Sequence, residues 1–444
     1  MTYKPRTGID FHKYRPEIAG PEVKYGLPQN VEFCWSCVMS NQRPNAVIEY
    51  EHNAESEKST LRVFDDHICS ACKVTLAKES VDWDEREREL REICDRFRRN
   101  DGRHDCIVPG SGGKDSFYAA HILKHKYGMH PLTITWAPHA YTDWGWRNFQ
   151  AWIHAGFDNV LITPNGRVHR LLTRLAVENI FHPFQPFIIG QKMIAAKLSV
   201  LHDIPLVFFG EPASEHGQPP EEEVRGTYLW DFFTTQGDQN TYIGGTSLED
   251  LYESFGLEPN DLEMYLPIDP EKVERANTTV YWLGYYEKWH PQGAYYYAVE
   301  NSDWRPAPER TPGTYNKFQS IDDKIDDLHY YSTFIKFGIG RTTYEASVDV
   351  RHGDLTRNEA ISLVKRYDGE YPKRFENELF AYLSIPENQF PKASKRFEQP
   401  VVDADYFRDL TDAARSPHLW VYESGTWRLR HQVENLDVEP AINP

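Results

Sequence analysis

Eight consecutive residues, Pro109-Gly110-Ser111-Gly112-Gly113-Lys114-Asp115-Ser116, have the composition of a phosphate cradle. Glycines let backbone N–H groups approach an anion with no Cβ in the way. Lys114 adds a positive charge, and Ser111 and Ser116 add hydroxyl donors. Such a turn works only between a strand and a helix, because unpaired N–H groups and the dipole at a helix start favour negative charge. Asp105-Cys106-Ile107-Val108 reads as the buried strand, and residues 117–124 as the amphipathic helix. The string is not a Walker A loop, since Asp115 follows the lysine and Val108 stands where the first glycine belongs. A second group is Cys34-Trp35-Ser36-Cys37 with Cys69-Ser70-Ala71-Cys72. Two residues between thiolates let both sulfurs of a pair reach one metal, so the four predict a closed, structural Zn2+ site with no open catalytic position. A redox dithiol pair or two disulfides are the weaker alternatives in a reducing compartment. Residues 38–68 separate the pairs, more than a usual zinc ribbon, and a hairpin of 47–50 with 61–64 is expected to bring them together.

The elements that must position these groups follow in order. A charged helix over 82–100 buries Leu90, Ile93, Cys94 and Phe97 on one stripe. Strands are expected at 131–136, 159–163 and 204–209, with helices at 144–155, 167–179 and 187–202. Near-continuous apolar strands with helical crossovers mean a parallel sheet covered on both faces, and ligands bind beyond the strand carboxyl ends. Ser111, 136–139, 163–166 and 210–214 all fall there, so one crevice is expected to hold the ligand of the turn, with Trp136 and Thr163 among its contacts. Residues 215–320 are unusually aromatic, at 231–233, 281–286 and 289–291, which suits either a sugar face or ordinary packing. Helices are expected at 321–335, at 356–368 with Thr356 and Glu359 as a capping box, and at 372–383. Residues 1–30 read as an irregular arm, and the tail past Pro386 as a surface wrap.

The 444 residues predict more than one domain. The boundaries drawn are 1–100 for arm, zinc-binding module and charged helix, 101–300 for the nucleotide domain with its aromatic insertion, and 301–444 for a helical C-terminal region. A net charge of −18 repels nucleic-acid phosphates, so no nucleic-acid partner is expected. No stretch approaches the about 20 apolar residues of a membrane span, and the N-terminal residues lack an apolar h-region, so the expected location is cytoplasmic.

Ser-Gly-Gly-Lys-Asp-Ser at 111–116 resembles the PP-loop of the ATP pyrophosphatase superfamily, whose members split ATP into AMP and pyrophosphate. The order of motifs sharpens this. After the cysteine pairs and the loop come Phe-Gly-Glu-Pro at 209–212 and Tyr-Trp-Leu-Gly-Tyr-Tyr at 281–286. Asp-Asp-Lys-Ile-Asp follows at 322–326, then Leu-His-Tyr-Tyr at 328–331 and Phe-Ile-Lys-Phe-Gly-Ile-Gly-Arg-Thr-Thr at 334–343. Over roughly residues 30–385 this resembles the N-acetyl sugar amidotransferase family of lipopolysaccharide O-antigen and pseudaminic-acid-type sugar pathways.

The resemblance implies an adenine nucleotide α-hydrolase-like, Rossmann-like α/β core carrying an N-terminal four-cysteine zinc-binding module and a C-terminal helical extension. It implies an ATP-dependent ligase that turns an acetamido group of a nucleotide-linked sugar into an acetamidino group. Gly110, Ser111, Gly112, Gly113, Lys114 and Ser116 would then hold the departing pyrophosphate, and Asp115 a Mg2+. Glu211 and Arg341 are further candidates, Glu211 for a second Mg2+ or the acceptor and Arg341 for the ATP phosphates or a nucleotide-sugar diphosphate. Position 2 is Thr and no Gly-x-Cys-x-Gly elbow occurs, so ammonia is expected from a separate glutaminase and cyclase pair. Homo-oligomerisation is compatible with the sequence. Two other readings stand beside this one: a PP-loop tRNA-modifying enzyme of thiolation type, and a non-catalytic zinc-ribbon adaptor with a degenerate nucleotide site.

Overall fold

The computed structural model describes residues 8–46, 48–210, 241–386, 397 and 399–434. Its centre is a five-stranded parallel sheet. The strands are β1 (Cys106–Pro109), β2 (Pro131–Trp136), β3 (Asp158–Ile162), β4 (Leu206–Phe209) and β7 (Thr279–Trp282), in the order β3-β2-β1-β4-β7. Between β4 and β7 along the chain lies a short ribbon of β5 (Tyr242–Ile243) and β6 (Thr246–Ser247), and β8 (Trp420–Glu423) pairs with β9 (Thr426–Leu429) near the C-terminus. β7 pairs with β4 in register, Leu206 opposite Thr279 and Phe209 opposite Trp282. Part of the expected aromatic insertion thereby becomes sheet.

Alternation of side chains sorts the core into two faces. Ile107, Ile134 and Val207 pack with the Gly166–Ile180 and Gln185–His202 helices. Cys106, Val108, Leu206 and Phe208 pack on the other face with the Trp83–Phe97, Lys114–His125 and Asp143–His154 helices. Cys94 and Cys106 are enclosed there as small apolar groups, and burial pushes both thiols up, Cys94 to about 12. No helix among the described residues is long and apolar enough to cross a membrane.

Tertiary contacts redraw four sequence expectations. Residues 49–51 form a 3-10 turn instead of a hairpin strand, and single bridges, Phe33 with Ser40, Pro44 with Thr60 and Val63 with Cys69, close the cysteine module. Residues 322–325 stay outside the helix, which runs Asp326–Phe337, because Asp323 accepts from the backbone N–H of His139 and Ala140 and is held as a turn. Arg341–Arg351 is a helix of its own, started by Gly340 after the left-handed Gly338. The segment after residue 400 folds into the Ala404–Ala414 helix and the β8–β9 hairpin, burying Phe407, Leu410 and Trp420 where a surface wrap was expected. Those residues share one apolar cluster with Cys34, Cys37, Cys69 and Cys72 and with Ile335, Ala346 and Leu383.

Candidate functional site

The strand order reverses between β1 and β4, and such a switch point opens a crevice at the strand ends. A cavity of about 680 Å³ lies there. All of residues 109–116 line it, together with Phe209, Gly210 and Trp282 from the ends of β4 and β7.

Residue type follows local geometry in the turn. Gly112 has φ +84°, and a Cβ there would meet Phe149 Cα at 2.8 Å. A Cβ on Gly110 would overlap the side chain of Ser116. Gly110 N–H donates to Ile134 O (2.9 Å), Ser116 Oγ to Gly113 O (3.0 Å) and Trp304 Nε1 to Gly112 O (3.0 Å). Asn148 and Arg305 exchange amide contacts of 2.8 and 2.9 Å beside the turn. Lys114 Nζ is buried and pairs with Asp115 (2.7 Å), whose Oδ1 also accepts from Trp289 Nε1 (3.0 Å). The same ammonium lies 5.7 Å from the Trp289 ring and 5.9 Å from the Phe318 ring.

A further part of the wall comes from the C-terminal region and includes Gln319, Asp322, Tyr330 and Glu345. Asp322 approaches closely because Gly145 has no Cβ to meet it. Burial raises the Asp322 carboxyl, and a hydrogen bond with Ser111 opposes that rise. Arg341 sits behind this wall. It is 1% exposed, pairs with Glu345 (3.0 Å), donates to Ser320 O (3.2 Å) and lies 4.5 Å from the Tyr330 ring. It shapes the 319–320 loop and does not line the cavity.

Two expected nucleotide contacts also lie away from the cavity. Trp136 is buried against Gly190 and edge-on to Tyr265, and Thr163 is exposed past the edge strand β3. The loop after β2 is spent on structure, since His139 Nδ1 holds Asp323 at 2.7 Å. Glu211, like 231–233, lies outside the described residues. Sequence reasoning missed Trp304, which reaches the turn, and the cavity wall supplied by Arg43, Glu49, His52 and Lys58; nothing local in either stretch signals these contacts.

Cys34, Cys37, Cys69 and Cys72 are fully buried, their sulfurs within 4.8 Å of one another. The Cys34–Cys72 and Cys37–Cys69 separations are 3.9 and 3.8 Å. A tetrahedron with Zn–S bonds of about 2.3 Å has edges of about 3.8 Å, so the four could hold a zinc ion. Cys37 N–H and Cys69 N–H both point at Cys34 Sγ, at 3.5 and 3.3 Å. Arg357 donates to Cys37 O (3.1 Å) and Cys34 O (3.3 Å), fastening the module to the Arg357–Tyr367 helix.

Residues 312–434 match the family model of the WbpG-like LPS biosynthesis protein C-terminal domain. The match points to lipopolysaccharide biosynthesis. The chain is also 34% identical over 67 residues to an uncharacterized protein of Methanocaldococcus jannaschii, a stretch covering 15% of this chain and 24% of that relative. The matched C-terminal domain carries Phe318, Asp322, Tyr330 and Glu345, which line the same cavity as the glycine turn.

Proposed function

We propose that the chain is an ATP-dependent amidotransferase of lipopolysaccharide sugar biosynthesis, forming AMP and pyrophosphate while converting an acetamido group of a nucleotide-linked sugar to an acetamidino group. One observation carries the reading: the glycine turn and the WbpG-like domain line the same cavity, Asp322 hydrogen-bonding Ser111. A phosphate-holding turn thus meets a sugar-pathway domain at the place where one reaction would join their substrates.

The amide oxygen attacks the α-phosphorus of ATP, the α–β bridging P–O bond breaks, and pyrophosphate leaves. Ammonia then adds to the activated carbon, and the C–O bond to AMP breaks to leave the amidine. This chemistry asks the protein for position and charge neutralisation more than for a nucleophile. The N–H groups of Gly112 and Gly113, the hydroxyls of Ser111 and Ser116 and the Lys114 ammonium would hold the pyrophosphate. Asp115, its carboxylate at the cavity, fits a hard cation, and Mg2+ bound there would neutralise phosphate charge. The four-cysteine site would hold Zn2+ as a structural tie. Ammonia would come from a separate glutaminase-type partner.

The test is mass spectrometry on nucleotide-linked N-acetyl sugars incubated with the protein, ATP and ammonium. The expected product replaces one oxygen by NH, with AMP and pyrophosphate released in equal amounts. ADP and phosphate as products would sink the assignment.

A further inference from the structure

The cavity is also lined by cations that lie outside the glycine turn. Arg43, Lys58 and Glu49 line it from the segment between the two cysteine pairs, and Lys336 lines it from the C-terminal region. Arg43 and Lys58 are each about nine-tenths buried, at 8% and 9% exposure. Neither has an ion-pair partner among the described residues: Lys58 Nζ meets the ring nitrogen of His52 at 3.2 Å, and Arg43 lies 5.0 Å from the Tyr344 ring and hydrogen-bonds Tyr344, with only its Nε unpartnered. Glu49 is the one carboxylate of this segment at the cavity, and its Oε2 is also unpartnered. His182 and His329, stacked at 5.0 Å, each bring a buried Nδ1 with no partner to the same wall.

Buried cations without matching carboxylates cost stability, and orphaned buried donors cost more. A ligand that supplies acceptors and negative charge removes both costs. The glycine turn is not that ligand's place, because on the proposed reading its N–H groups and Lys114 are taken by the phosphates of ATP. We propose that Arg43, Lys58 and Lys336 form a second anion subsite that holds the diphosphate ester of the acceptor substrate. A diphosphate spreads its charge over two phosphoryl groups and can meet cations on separate chain segments, whereas free phosphate meets them at one centre. The four-cysteine site then has a role in binding, since Arg43 and Lys58 lie on the chain strung between its two cysteine pairs. The inference rests on the reading that the glycine turn takes ATP.

The experiment titrates UDP calorimetrically into the full chain saturated with an ATP analogue carrying a methylene bridge between the α and β phosphorus. UDP is expected to bind wild type, and Arg43→Gln and Lys58→Gln are expected to weaken it by about tenfold or more, the loss of one charged hydrogen bond, with analogue affinity unchanged. Arg43→Lys, with zinc content and thermal melt at wild-type values, is expected to retain more affinity than Arg43→Gln. UDP affinity unchanged in both Gln variants overturns the subsite, and inorganic phosphate binding as tightly as UDP overturns its assignment to a diphosphate. If the analogue fails to bind wild type, the ATP reading fails by itself, and UDP titrated into the free chain still decides the second subsite.

Discussion

The indole N–H of Trp304 donates to the carbonyl of Gly112 across 3.0 Å, so a residue beyond the Pro291–Asn301 helix holds the turn that opens the Lys114–His125 helix. Trp304 is fully buried, and Gly112 is the left-handed residue of that turn. Trp304→Phe keeps the bulk and removes the donor, leaving a buried carbonyl unpaired at a cost of about 1–3 kcal/mol. The expected result is a rise in KM for ATP of about tenfold with a small fall in Tm. An unchanged KM would show that the contact does not set the turn.

Gly112→Ala should damage the same turn more directly. The positive φ costs an L-residue about 1–2 kcal/mol, and the new Cβ would press on Phe149 Cα at 2.8 Å and Asn148 O at 3.2 Å. Pyrophosphate release should fall steeply while circular dichroism stays native.

Lys114→Ala should reduce turnover by about a hundredfold or more, the scale of losing a charge-stabilising group at a transition state. Asp115 retains Trp289 as a donor, so the fold should persist. Pyrophosphate release assayed beside a thermal melt separates the two effects.

Cys34→Ser removes a sulfur that Cys37 N–H and Cys69 N–H both face. Zinc content by atomic emission and Tm should fall together, as expected where metal binding is folding free energy. Full stability without metal would refute the structural-zinc role.

Lys58 supplies a pH signature. Burial is the largest cause of its fall from 10.5 to about 8, against the field of Glu49, with His52 alongside. Below pH 8 the ammonium is charged in both folded and unfolded chains, and the burial penalty is fully present. Between 8 and 10.5 the unfolded chain binds more protons, so this group makes stability rise with pH. Lys58→Met is therefore expected to be more stable than wild type at pH 7, by at most about 3 kcal/mol, and to lose that advantage by about pH 10.5. Denaturant midpoints at the two pH values check it. An advantage that does not shrink with pH would assign the effect to packing.

Local chemistry made much of this protein legible. Apolar runs at 105–108, 131–136 and 204–209 were legible as buried strands, because they are too short for a helix of several turns and a covered parallel sheet buries them while pairing their backbones. The glycine turn was readable because positive φ and close approach demand glycine whatever surrounds them. The cysteine spacing was readable because two intervening residues suit one tetrahedral metal, and the 3.8 and 3.9 Å sulfur separations agree. The Thr356–Glu359 capping box formed as spelled.

What the sequence could not decide depends on partners remote along the chain. Thr279–Trp282 becomes a strand only because β4 offers it an edge. Asp323 stops the helix at 326 because His139, far upstream, claims its carboxylate. Arg341 faces Glu345 and the 320 carbonyl instead of the cavity, and Trp136 faces Gly190, because burial, not residue type, chooses which side of a wall a side chain takes. The sequence by itself determined that a glycine turn between strand and helix and a cluster of four cysteines exist. Only the tertiary structure decided that the turn and the WbpG-like domain line one cavity, and that residues between the cysteines line it too, since those are contacts between segments with no local signal to each other.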